Sequence, residues 1–190
     1  PMLGWLLLFN VHPLLILSGK RRLHLMLGKF GAILAVVLVF LGVRVSIAAA
    51  RVAPPNLELF GMLPRRFLYV PLLTITLFGL FVAAGIWMRN RPAIHRPLML
   101  LATVNALSAA LGRIGWLNEM IAGTIWDRIF GPMVTALMLG VLLLAVKIIM
   151  TQKFDRWFAV GIGVIAAAYA AMLAFSATNV WDRFAGFLIG

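Results

Sequence analysis

An all-α, polytopic transmembrane helical bundle is the fold class predicted by this chain of 190 residues. Three observations predict it. Hydrophobic residues make up 64% of the chain and charged residues only 12%, about half the charged share of a soluble domain. A soluble fold of this size has too little interior to hide that much apolar side chain. Apolar runs of about 20 residues, the length that crosses a bilayer, recur from one end to the other. The cations fall in short connections between those runs. The net charge of +12 therefore reads as anchorage to the head groups of a lipid bilayer, and nucleic-acid binding is set aside.

Six spans are expected within one transmembrane domain covering residues 1–190, at about 2–18, 27–50, 67–88, 97–116, 129–150 and 157–178. The first opens at once with PMLGWLLLFN and lacks the charged region and cleavage site of a signal peptide. We expect further residues, including at least one helix, to precede Pro1. The second span follows the cluster GKRRLH and closes near FLGVRVS. Pro64, Pro92 and Pro132 stand near the starts of the third, fourth and fifth, where a missing backbone N–H costs least. Thr103, Asn105 and Ser108 give the fourth span a polar stripe suited to hydrogen bonding between helices. The small residues of GIGVIAAAYAAMLA in the sixth allow close helix approach.

The connections fix an expected orientation. Ten cations, including Lys20, Arg21, Arg22, Arg89, Arg91 and Arg96, lie on one side and seven on the other. The positive-inside rule then places the first, third and fifth connections in the cytoplasm, with the chain in a bacterial inner membrane. The opposite connections, PPNLELFGMLPRRF and WLNEMIAGTIWDRIFGP, mix aromatics with charges as interfacial segments do. WDRIFG at Trp126 returns as WDRFAG at Trp181. This repeat reads either as a docking edge or as Trp anchors, each with a local Asp–Arg pair.

The absence of cysteine excludes disulfides, thiolate metal sites, iron–sulfur clusters and cysteine catalysis. Carboxylates for a hydrolytic metal centre are lacking near the histidines, where Asp155 is the only acid on the same side. Glu-x-x-His pairs, a mid-membrane lysine for a Schiff base, a Gly-x-Ser-x-Gly element and phosphate-binding glycine loops are also missing. No catalytic residue is assigned.

The three histidines carry the remaining signal. His24, in RRLHLMLGKFG, and His95, in RPAIHRPLMLL, occupy matching places in an internal repeat over 20–50 and 91–116. Each half reads basic cluster, histidine, apolar span, then an arginine, Arg44 or Arg113. At helical rise each His stands about 27–30 Å from its Arg, at the other edge of the hydrocarbon. Neutral imidazoles from two helices can hold the iron of a b-type haem from both sides. Arg22, Arg91 and Arg96 stand where its propionates would emerge. The alternative is that both histidines are interfacial anchors. His12 lies about 9 Å inside the first span. It is either a further cofactor-binding group or a donor to a carbonyl freed by Pro13. Arg44 and Arg113 read as an anion clamp or as snorkelling anchors.

The stretches LHLMLGKFG and IHRPLMLLATVNALSAALGR resemble a group of bacterial multi-pass membrane proteins of unassigned function. In that group, His-x-x-Leu-Gly opens one helix and His-Arg-x-x-Met opens another. His24 with Gly28, and His95 with Arg96, Met99 and Arg113, match this pattern over roughly residues 20–115. The group is in turn similar to transmembrane b-type cytochromes. Their two haems use four histidine ligands, whereas this chain has three histidines. The resemblance therefore implies one haem b at most. The leading expectation is a membrane redox component that passes electrons to or from quinone or a partner subunit. A non-enzymatic accessory or scaffold subunit of a larger membrane complex is the competing class. A carrier of an anionic or lipidic ligand, using Arg44 and Arg113, is a third.

Overall fold

The computed structural model describes residues 1–190 and is helical throughout, with one isolated bridge, Leu59 to Met62. Its helices are α1 (Met2–Leu17), α2 (Arg21–Val52), α3 (Pro64–Phe67), α4 (Tyr69–Trp87), α5 (Pro92–Ala106) and α6 (Ser108–Leu111). They continue as α7 (Gly115–Ile121), α8 (Ile125–Phe130), α9 (Val134–Thr151), α10 (Arg156–Phe175) and α11 (Asn179–Ile189). Five helical stretches are long and apolar enough to cross a membrane: Arg21–Val52, Pro64–Trp87, Pro92–Leu111, Ile125–Thr151 and Arg156–Phe175. The first of the six expected spans corresponds to α1, which is apolar but, at 16 residues, shorter than these five.

The bounds of the second and fourth spans also move. α2 and α5 begin about five residues before the apolar runs do, because their first turns are cationic yet still hydrogen-bonded as helix. Pro64 and Pro92 each occupy the first helical position as expected, and Pro132 lies in a 3-10 turn, Gly131–Met133, just before α9.

The helices pack in a chain of neighbours: α1 on α2, α2 on α4, α4 on α5, and α5 on both α9 and α10. One continuous core joins Trp5, Leu38, Phe78, Leu101, Leu137, Phe158 and Tyr169. Small residues permit the tightest crossing. A Cβ on Gly161 of α10 would collide with Leu101, a fully buried side chain of α5. The polar stripe of α5 does bond between helices. Thr103 Oγ1 accepts from Trp5 Nε1 at 3.1 Å, and Asn105 donates to the Thr74 carbonyl at 2.6 Å. Tyr169 O–H donates to Asn105 Oδ1, while the Ser108 and Thr74 hydroxyls lie 3.4 Å apart.

The two WDR segments differ in setting. Trp126 of α8 is 59% exposed, as an interfacial anchor would be, but Trp181 of α11 is 1% exposed and donates to the Arg65 carbonyl. The expected Asp–Arg pairs do not form. Asp127 instead accepts the Gly123 backbone N–H at 3.0 Å, closing the turn before α8. α11 lies across the end of the bundle opposite the histidines, where Arg51 reaches its Leu188 carbonyl at 2.9 Å.

The single ion pair in the molecule joins Lys147 to Asp155. Burial alone would raise the Asp155 carboxyl. Hydrogen bonds from the Lys147 ammonium and the Phe158 N–H outweigh that effect and hold its pKa below the usual carboxylate value. A depressed folded pKa contributes stability that is present above the unfolded value of about 3.9 and lost as pH falls through the folded one. Thermal unfolding in detergent should therefore show a small acid-side loss below about pH 4, under about 1 kcal/mol for a partly exposed pair. Asp155→Asn should flatten it.

A three-histidine cleft

The side of the bundle where α2 and α5 begin holds the candidate site. His24 is the fourth residue of α2 and His95 the fourth residue of α5. Each backbone N–H makes the first helical bond back to a basic residue, His24 to the Lys20 carbonyl at 3.1 Å and His95 to the Arg91 carbonyl at 2.9 Å. The two histidines therefore stand at equivalent places in two helices that start at the same cleft. Neither helix has a side-chain cap or an acid in its first turn.

The expected site residues separate clearly. All three histidines of the chain line one cleft between α1, α2, α4 and α5. Its walls are otherwise apolar: Trp5, Leu8 and Phe9 from α1, Val82 and Ile86 from α4, and Met99 from α5. Gly28, Gly31 and Ala32 form the wall on α2. His24, Gly28 and Gly31 share one helical face at i, i+4 and i+7; at Gly31 the His12 ring and Leu8 of α1 pack against it, each 3.9 Å from where a Cβ would stand. A Cβ at Gly28 would meet nothing within 4 Å.

His95 is oriented by its neighbours. At the end of α4 the Arg89 N–H turns to the Ile86 carbonyl, which leaves the Gly85 carbonyl without that helical donor. His95 Nδ1 lies 2.8 Å from the Gly85 oxygen. A carbonyl can only accept, so Nδ1 carries a proton, and in the neutral ring it is Nε2 that keeps the lone pair. Gly85 also lets α5 approach, since a Cβ there would stand 2.9 Å from Met99 Sδ.

His12 and His24 meet edge to face, with ring centroids 4.8 Å apart and planes at 67°. His12 Nε2 and His24 Nδ1 are buried and lack hydrogen-bond partners. The alternative in which His12 bonds a carbonyl freed by Pro13 is not what the structure holds. No group of three or more His, Asp or Glu stands close enough together to bind a bare metal ion.

Arg22, Arg91 and Arg96 are exposed at this same end, in or next to the first turns of α2 and α5, and none pairs with a carboxylate. They flank the cleft without lining it. Arg44 and Arg113 are exposed elsewhere and do not join it. Arg113 folds back on its own chain, donating to the Ala109 carbonyl at 2.9 Å. Sequence reasoning missed the Gly85 acceptor and the meeting of His12 with His24. The glycines spaced at helical intervals after His24 were a readable sign of the cleft.

No protein-family model, curated protein or solved structure matches this chain.

Proposed function

We propose that this multi-pass membrane protein binds one b-type haem in the three-histidine cleft, with His24 and His95 as axial ligands, and passes single electrons. The observation that carries the reading is the convergence of every histidine in the chain on one cleft with apolar walls. Supporting it, the Gly85 carbonyl accepts the Nδ1–H of His95, which in the neutral ring leaves Nε2 as the ligating nitrogen, the usual support of a metal-bound histidine. His12 and His24 touch edge to face and leave no gap for a macrocycle between them. His95 and His24 are therefore the residues that would hold a haem, with His12 packed against His24.

The chain's own residues have separable roles. His24 and His95 would hold and orient the haem, while Trp5, Leu8, Phe9 and Met99 would exclude water. Arg22, Arg91 and Arg96 would neutralise its propionates at the head-group level. When bound, a haem supplies reversible one-electron chemistry. Quinone or another membrane subunit is the proposed exchange partner, with the histidine end facing the cytoplasm of a bacterial inner membrane by its excess of cations.

The alternative, an accessory or scaffold subunit, draws on α2. Only Gly31, Ala35 and Leu38 of its 32 residues are buried, leaving a long apolar face for lipid or another helix. Absorption spectra of the purified protein, oxidised and then dithionite-reduced, separate the two. Sharp reduced bands with about one haem per chain are expected. A colourless preparation from haem-replete cells would rule out the haem reading and leave the accessory one.

A further inference from the structure

We infer that His12 is a positioning residue for the ligand His24, its Nε2 accepting the Nδ1–H of His24 just as the Gly85 carbonyl accepts that of His95. The inference rests on the haem reading above. Two buried ring nitrogens in this region have no partner, His12 Nε2 and His24 Nδ1, and they belong to adjacent rings with centroids 4.8 Å apart.

Elimination identifies the match. If His24 ligates through Nε2, its Nδ1 carries a proton that needs an acceptor. The cleft offers few polar side chains. Trp5 Nε1 is a donor only and is already committed to Thr103 Oγ1 at 3.1 Å. His95 is already engaged through Nδ1 with the Gly85 carbonyl at 2.8 Å, and in this reading its Nε2 is the other ligand. Apart from the three histidines and Trp5, the walls are apolar residues and glycine. Among the side chains of the cleft, His12 Nε2 is therefore the acceptor that remains, on a ring whose centroid lies 4.8 Å from that of His24. Each orphan satisfies the other.

This gives the two ligands equivalent support from different sources, a carbonyl at the end of α4 for one and a side chain of α1 for the other. It also gives α1 a reason to carry an imidazole directly before Pro13. An acceptor on Nδ1–H makes the ligating nitrogen more basic, which favours ferric over ferrous iron and lowers the midpoint potential.

The test compares full-length wild type, His12→Ala, His12→Gln and His24→Ala by absorption spectroscopy, hemin titration and potentiometry. His12→Ala is expected to keep the band positions of two axial imidazoles, bind hemin roughly 10–100-fold more weakly and titrate at a higher potential. His12→Gln, whose amide oxygen accepts a hydrogen bond, should restore affinity and potential toward wild type, which a merely space-filling role would not produce. His24→Ala should lose the two-imidazole spectrum. The inference is overturned if His12→Ala loses that spectrum as His24→Ala does, since His12 would then be a ligand itself. Unchanged affinity and potential in His12→Ala, or no recovery in His12→Gln, also overturn it. Wild-type protein without haem bands defeats the parent reading, and this inference with it.

Discussion

Replacing His95 with alanine is expected to abolish the reduced absorption bands and to weaken hemin binding by more than about 100-fold. That lies beyond the range produced by removing an outer hydrogen-bond partner alone. The variant loses both the ligating Nε2 and the donor to the Gly85 carbonyl. The second loss is mild, because that carbonyl sits in the last turn of α4, where carbonyls without helical donors are ordinary. Helix content and elution as a folded species should therefore remain near wild type while colour disappears. Retention of a two-imidazole spectrum in His95→Ala would sink the assignment of His95 and require His12 and His24 to be the ligands. Their edge contact argues against that arrangement.

The largest loss of stability is expected at Asn105, far from the histidines in the chemistry it performs. The residue is completely buried. Its amide donates to the Thr74 carbonyl of α4 at 2.6 Å and its oxygen accepts from Tyr169 of α10 at 2.5 Å. Asn105→Leu keeps the approximate volume but strands the Tyr169 hydroxyl in an apolar setting. Stranding a buried polar group costs about 1–3 kcal/mol, whereas hydrogen bonds between membrane helices average about 0.6. With two bonds lost and one group left unpaired, about 2 kcal/mol is the expected cost, read as a lowered unfolding midpoint in detergent. A double variant that adds Tyr169→Phe removes the stranded hydroxyl. It should cost less than the sum of the two single changes. Strict additivity would mean that the two side chains do not act together.

Much of the fold was legible because hydrocarbon imposes length and apolarity on whatever crosses it. The prolines at 64 and 92 and the polar stripe from Thr103 to Ser108 behaved as their local chemistry dictates. Helix ends were less legible. Hydropathy marks where the chain leaves hydrocarbon, and α2 and α5 run on into water with Arg21, Arg22, Arg91 and Arg96 still in or beside the helix. The Asp–Arg pairs failed for a local reason, since Asp127 found a nearer backbone donor at Gly123.

The site was half legible. The spacing of His24 and His95 from the starts of their helices predicted a common depth, and both stand fourth in their helix. What the spacing could not carry was lateral placement. That α1 turns His12 onto His24, and that the Gly85 carbonyl lies within reach of His95, depend on how α1 and α4 pack against their neighbours. Arg44 and Arg113 shared the repeat with the histidines but not their convergence.

The uncapped starts of α2 and α5 have an electrical consequence. Each helix begins at the cleft with free N–H groups, no acid in its first turn and basic residues at its cap. The backbone dipoles of the two thus place roughly half a positive charge apiece at the same mouth. Their fields add, and neither is offset by a carboxylate. An anionic group at that mouth is attracted by the peptide backbone as well as by the arginines. Substituting single cations would therefore leave much of that attraction in place.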